Sequence, residues 1–542
     1  MSTTRRPLKV SFFRDLRKEF QGYSPSVFSK DLLAGFTVTA VALPLALAFG
    51  VSSGLDAASG LITAIMAGLV IGALGGASFQ ISGPTGAMAA ILAALAARHG
   101  ADGVFIAGML SGIILIIAAA LRVGALVSYI PSPVVTGFTS GIAVIIALGQ
   151  LDNFFGTTSQ GETALERLIS YGELGFSIHL PTVFYGMLVV LLMVFWPKKW
   201  NAKLPASLLG IIIALVVQMF LDLPVAEVGA IPRTLLGENR LRFENLHLSE
   251  LSSYLSPAIS IAALGMVESL LCGASAGKMK NEKLNATREL FAQGIGNTLI
   301  PFFGGVPATA AIARTSVAIK SGGQTRMTSI IHALGLMASM FLLGSYMSRI
   351  PLAALGGVLM VTAWRMNEWH ALKQIFKKRI KTSISQFTIT MVSTVIFDLT
   401  FAIMIGIVFS MVMFVVKSNK ISIEVDDVTE EVAKKAGNTK VVYVDGSLFF
   451  GSQEVLTKKV ESLLGEKAER IIFSLRGVPS IDHSSVNEFT EIVKMCRNVH
   501  VPVLFCGVQP AVMSMFNRLD FTEELGEACF FSSAVTALES IN

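Results

Sequence analysis

Between about residues 31 and 418, apolar residues gather into runs long enough to cross a bilayer, and this limits the available folds more than any other feature of the chain. A helix crossing about 30 Å of hydrocarbon needs roughly 20 mostly apolar residues. Runs of that order lie at about 32–50, 59–75, 103–121, 134–150, 179–196, 205–221, 255–276, 327–344, 382–397 and 400–416. Shorter pieces lie at about 83–97, 288–303, 308–319 and 350–364, which makes fourteen segments. Only 15% of the 542 residues are charged, against about 25% in an ordinary soluble domain. That composition excludes a soluble enzyme, a nucleic-acid-binding protein and a disordered chain. The first thirty residues are polar and carry no short apolar region with a cleavage site, so the first run acts as insertion signal and first span together. Cys272, Cys496, Cys506 and Cys529 form no C-x-x-C pair and no disulfide pattern, which fits a reducing compartment on at least one side.

An even number of spans puts both termini on one side. With the N-terminus inside, the inside stretches hold 23 Lys and Arg, among them Lys278, Lys280, Arg326, Lys373 and Lys377, and the outside stretches hold six. This is the bias expected when both termini are cytoplasmic, and it absorbs the net charge of +6 without a nucleic-acid partner. The expected place is a plasma membrane, with a cytoplasmic segment over 1–30, a transmembrane domain over 31–418 and a cytoplasmic domain over 419–542.

Two segments are broken in the same way. In the stretch beginning Phe79-Gln80-Ile81-Ser82, β-favouring residues precede a Gly83-Pro84-Thr85-Gly86 breaker and a short small-residue helix. In Phe302–Ser316 a glycine pair, Pro307 and Thr309 precede an alanine-rich half-helix. Each is the third segment of its half, so seven segments per half with the defect in register reads as an inverted repeat. Backbone that is neither helix nor closed sheet must lie inside protein or line a wet cavity. A half-helix N-terminus there offers free N–H groups and partial positive charge, so two such ends make an anion site. Ionisable residues inside the runs are few. Glu268 sits mid-span, where a carboxylate should be protonated, paired or lining water, and Arg314 is read about two turns into the second half-helix. We expect Glu268 to carry a co-transported proton and Arg314 to add positive charge near the anion. No metal, heme or hydrolase motif falls on a plausible face, so neither a cofactor nor an enzyme activity is expected.

Ser82-Gly83-Pro84-Thr85-Gly86, Gly265-Met266-Val267-Glu268-Ser269-Leu270-Leu271 and Ala313-Arg314-Thr315 together resemble the SulP family of anion transporters. The resemblance implies a core and a gate domain built from a 7+7 inverted repeat, an elevator-like movement and a homodimer. Carried over, it places the anion at Thr85, Gly86 and Ala87 on the first half-helix and at Ala310, Ala311 and Ile312 on the second, with Glu268 as coupling acid and Arg314 as the basic residue. Sodium-coupled bicarbonate members tend to have Asp at Glu268 and Thr near Cys272 and Ile312, and a hard cation needs several such oxygens. Many sulfate and chloride members read Pro-Gln where this chain reads Pro44-Leu45. The motifs look most like the bacterial branch that contains proton-coupled dicarboxylate carriers. The expected function is secondary transport of sulfate, bicarbonate or a C4-dicarboxylate by proton symport. An uncoupled channel or an exchanger on the same scaffold is the alternative, and a membrane-anchored sensor is a third reading that the retained breakers disfavour.

After Lys417 the pattern changes to charged, alternating strands and helices. Strands are expected at 441–444, 471–475 and 501–505 and helices near 453–465, 484–497 and 510–519, a small α/β domain that resembles the STAS domain. Ser484 takes the place of a phosphorylated Ser in anti-sigma-factor antagonists, with an ordinary helix N-cap as the plainer alternative.

Overall fold

The computed structural model describes residues 12–540 apart from 126–129, 162, 202–203, 237–238, 246–250, 398, 419–420, 429–436 and 450–452. The chain divides into two compact units, Met1–Ile407 and Val408–Asn542.

The first unit is helical. Helix α1 (Pro25–Ser52) starts at a Ser24 cap with proline in its first turn. Helix α2 (Ala57–Met66) continues through a π-turn to Leu74, and the strand β1 (Ser82–Gly83) leads into α3 (Gly86–Ala120). Gly100, at φ +65°, breaks α3 into two helices, a left-handed conformation that glycine adopts without cost. Then come α4 (Ser132–Gly149), α5 (Leu180–Phe195) and α6 (Ala206–Leu221). The second half repeats the order with α7 (Leu255–Lys280), α8 (Ala286–Leu299), the strand β2 (Thr309–Ala310) and α9 (Ile312–Lys320). It ends with α10 (Met327–Met347), α11 (Leu352–Met366), the short α12 (Trp369–Lys377), α13 (Lys381–Ile396) and α14 (Leu399–Ser418), whose last residues, from Val408, belong to the second unit. With α3 counted as two and α12 left aside, these are the fourteen segments, and each broken one is third in its half. Among the described residues, six helices, Ala57–Leu74 among them, are long and apolar enough by length and composition to cross a membrane.

The segments sort into two bundles. In one, α3 packs on α7 and α8, and α10 packs on α1 and α2. In the other, α13 packs on α4, α11 on α5 and α4, and Gly406 of α14 lies against Thr390 and Val134. Small residues allow the close crossings that lipid-embedded helices use. A Cβ on Gly60 of α2 would stand 2.0 Å from the Ala46 carbonyl oxygen and 2.6 Å from the Gly50 amide of α1.

The second unit is a five-stranded sheet in the order β3 (Ser422–Asp427), β4 (Thr439–Asp445), β5 (Arg470–Gly477), β6 (Val503–Cys506), β7 (Phe530–Phe531). Strands β4 to β7 run parallel and β3 is antiparallel to β4. The three expected strands are β4, β5 and β6. The helices α15 (Gln453–Gly465), α16 (His483–Asn498) and α17 (Pro510–Arg518) occupy the expected stretches. Sequence patterning missed β3, whose side chains alternate only between half-buried and exposed, and the two-residue β7. Phe473, Phe489, Phe505, Phe516 and Phe521 are all buried in the core of this unit.

Glu488 of α16 is buried, and the Thr457 hydroxyl donates to it at 2.9 Å. Burial outweighs that hydrogen bond and pushes its carboxyl up from 4.5 to about 7. The folded state therefore holds a proton that the unfolded chain releases between about pH 4.5 and 7. Stability falls as pH rises through that window, and the cost is complete above it. Glu488→Gln keeps the acceptor and removes the charge, so it should stabilise the second unit by about 1–3 kcal/mol at pH 8 and by almost nothing near pH 4.5. Urea titrations at the two pH values check this.

Candidate functional site

The two breakers meet on one small antiparallel ladder, Ser82 opposite Ala310 and Gly83 opposite Thr309. The Ala311 N–H donates to the Ile81 carbonyl at 2.9 Å and extends it. Non-helical backbone at membrane depth must find its hydrogen bonds within the protein, and neighbouring side chains supply them. Thr63 Oγ1 accepts from the Val306 N–H at 2.7 Å, Asn297 Oδ1 from the Ala308 N–H at 2.6 Å and Thr315 Oγ1 from the Ile81 N–H at 3.0 Å. Gln80 Nε2 donates to the Ser269 carbonyl at 2.7 Å. Gln293 Nε2 reaches Ser82 Oγ at 2.9 Å and Glu289 Oε1 at 3.0 Å, and Glu289 in turn accepts the Gly76 N–H at 2.9 Å. Together these contacts fix where α3 and α9 begin.

Glu268 of α7 faces both helix starts. Its Oε2 accepts from Thr85 Oγ1 at 2.8 Å and from Thr309 Oγ1 at 2.6 Å, and the two hydroxyl oxygens lie 3.2 Å apart. Thr85 is the N-cap of α3, and Thr309 lies on β2, three residues before α9. One half-buried carboxylate is thereby tied to both breakers. Arg314 is 1% exposed, and its Nη2 donates to the Pro84 carbonyl, reaching across to the first breaker. Its Nη1 has no hydrogen-bond partner among the described residues and lies 2.5 Å from where a Cβ on Gly83 would sit. Glycine at position 83 makes room for the guanidinium.

The first-turn amides divide into used and open. In α3 the Met88 N–H goes to Thr85 Oγ1 at 3.4 Å and the Ala89 N–H to the Thr85 carbonyl at 2.9 Å, which leaves Gly86 and Ala87 without an intrahelical acceptor. In α9 the cap residue is Ala311, which has no side-chain acceptor, so Ile312, Ala313 and Arg314 are the open amides. Ile312 is 48% exposed and Ala313 is also exposed, whereas Gly86 is buried, a Cβ there meeting Ile146 at 2.3 Å and Phe49 at 3.2 Å. A narrow cavity of about 60 Å³ continues from Gly86 past Ala89 to Ser52 and Gln150, where Gln150 Nε2 donates to Ser52 Oγ at 2.9 Å.

Three sequence-derived placements need correction. Arg314 lies in the first turn of α9, not two turns in, because Thr309 and Ala310 form a strand and the helix starts only at Ile312. The amides of Ala310 and Ala311 are taken, by Ser269 Oγ at 3.2 Å and by Ile81, so these residues shape the site without donating to it. Thr85 touches Glu268, and Gly86, Ala87 and Ile312 stand in the first turns of α3 and α9. Thr309, four residues beyond the Gly304-Gly305 pair, was read in the sequence only as part of the breaker, and the buried Glu289 was not singled out. Ser484, in the second unit, is half-buried in the first turn of α16, whose cap is Asp482, accepting the Ser485 N–H at 2.8 Å. Among the described residues no group of three or more His, Cys, Asp or Glu could hold a metal ion.

The sequence model of the sulfate permease family matches residues 28–393. The chain belongs to that family. A STAS-domain model matches residues 431–537, so this sulfate permease family member joins a polytopic helical membrane unit of the 7+7 type to a small α/β STAS domain. It is 30% identical over 524 residues to Bacillus subtilis YvdB, provisionally named a sulfate transporter, across 94% of this chain and 97% of that one. It is 27% identical to the bicarbonate transporter BicA of Picosynechococcus, across 83% of each chain. The solved transmembrane domain of a cyanobacterial BicA superposes with a TM-score of 0.64 at 26% identity, covering 72% of this chain and 98% of that domain. Murine Slc26a9, an anion transporter solved in its inward-facing state, shares the fold over the whole chain and 96% of its own, with a TM-score of 0.86 at 16% identity. Members of the family are anion transporters rather than enzymes.

Proposed function

We propose that this protein is a proton-coupled secondary transporter that carries sulfate, bicarbonate or a C4-dicarboxylate across a bacterial inner membrane. The anion sits between the first-turn amides of α3 and α9, with Arg314 behind it. The bundle of α1–α3 and α7–α10 moves as a core against a gate of α4–α6, α11, α13 and α14, within the homodimer that the resemblance implies. The observation that carries the reading is the position of Glu268: a single acid hydrogen-bonded to the hydroxyls of both breakers is placed to exchange a proton whenever the anion enters or leaves. A carboxylate at membrane depth costs about 2.5–3.5 kcal/mol unless neutralised, so protonation favours the moving state. The exposed tip of α9 and the covered tip of α3 fit a site open to one side. The excess of Lys and Arg on the loops of the terminal side supports cytoplasmic termini, and Ser484 stands where phosphorylation would regulate the STAS domain.

Uptake of labelled sulfate, bicarbonate and succinate into proteoliposomes, with and without an inward proton gradient, tests the proposal. One of the three should accumulate above its own equilibrium only with acid outside. Uptake that runs downhill at the same rate whatever the gradient would assign the protein to the uncoupled or exchanging class.

A further inference from the structure

We propose that α12 and the basic residues after it form a docking surface for anionic phospholipid, which holds the second bundle at the membrane face. Helix α12 is nine residues long, about 13 Å, far too short to span the bilayer. None of its residues is buried. Trp369, Leu372 and Phe376 fall on one face at i, i+3 and i+7, and His370, Lys373 and Lys377 on the face beside it. Trp369 and Phe376 remain 41% and 48% exposed, an arrangement unfavourable in water and ordinary for a helix lying in a lipid interface.

The helix is seated, not dangling. It packs on α4 and α13, with Phe376 5.7 Å from the ring of Phe387. The Trp369 ring stands 4.5 Å from that of Trp364, itself 65% exposed on the last turn of α11, and its Nε1 donates to the Trp364 carbonyl at 3.1 Å. Tryptophans of this kind sit at headgroup level, so the pair fixes the depth of α12. Lys373, Lys377, Lys378, Arg379 and Lys381 are all exposed, and among the described residues none is paired with an acid. The one acid beside them, Glu368, accepts from Thr136 Oγ1 at 3.3 Å. Five unpaired cations next to an apolar stripe at interface depth match a negatively charged lipid surface. A soluble partner would leave the aromatic stripe unexplained.

The test uses the full-length chain with Trp196→Phe and Trp200→Phe, which leaves Trp364 and Trp369 as the only tryptophans. It is reconstituted into phosphatidylcholine vesicles containing increasing amounts of dibrominated phosphatidylglycerol or dibrominated phosphatidylcholine. Bromine quenches tryptophan at short range, so the anionic lipid should reach half-quenching at a mole fraction at least about threefold lower than the zwitterionic one. The preference should vanish when the five cations are changed to Gln and persist when the four lysines are changed to Arg, which separates charge from folding. It should also shrink in high salt. Equal quenching by both lipids in the parent chain, or a preference that survives removal of the five charges, would overturn the proposal.

Discussion

Replacing Glu268 by Gln is expected to abolish accumulation driven by a proton gradient, while anion binding stays within about threefold of the parent. Gln retains a carbonyl oxygen for the Thr85 and Thr309 hydroxyls, which reach Glu268 at 2.8 and 2.6 Å, so the cradle is preserved at a cost of about 1 kcal/mol or less. What is lost is the proton. Anion exchange across the membrane in the absence of a gradient should persist, because neutral Gln imitates the protonated carboxyl. Thr309→Val is a milder relative of this change: it removes one of the two donors and should shift the pH at which uptake is half-maximal without abolishing coupling. Gradient-driven uptake by Glu268→Gln at the parental level would remove Glu268 from the coupling step.

Replacing Arg314 by Ala should weaken binding of a doubly charged anion by about tenfold to a hundredfold, the range of a buried charge-assisted hydrogen bond at 1.5–3 kcal/mol. Binding of a singly charged anion should fall less. In the structure Nη2 of the guanidinium braces Pro84, and Nη1 has no partner among the described residues. Arg314→Lys retains the charge without the fork, so it should fall between parent and Ala for the dianion. Thermal-shift titrations with sulfate and with a monovalent anion give the comparison. Equal losses for both, unrelieved by Lys, would mean that Arg314 acts only as a strut between the two breakers.

The fold was legible where one-dimensional pattern carries it. Span length, the alternation of basic loops and the two Gly-Pro breaks in register led to the arrangement of fourteen segments, including the split at Gly100. The start of the second half-helix was not legible. Ala310, Ala311 and Ile312 look equally helical in sequence, and the pairing of Thr309 and Ala310 with Gly83 and Ser82 involves residues more than two hundred positions away. That non-local ladder is why Arg314 lies in the first turn. Glu289 escaped notice for a related reason. Beside Arg288 at the head of an apolar run it reads as a loop residue, yet it is 0% exposed and holds Gln293 beneath β1. Thr309 gained its role only when Glu268 was brought next to it. In the second unit, β3 and β7 were missed because edge strands bury too little to show a pattern.

The central claim is that the transported anion rests on the amide tips of α3 and α9. Selenate is a doubly charged mimic of sulfate with a strong anomalous signal, and crystals of the protein grown with it locate the anion directly. A selenium peak is expected with oxygens about 2.9 Å from the amides of Ile312 and Ala313, facing Gly86 across the gap and weakened in Arg314→Ala. Selenate bound elsewhere, in protein that still transports it, would contradict the account.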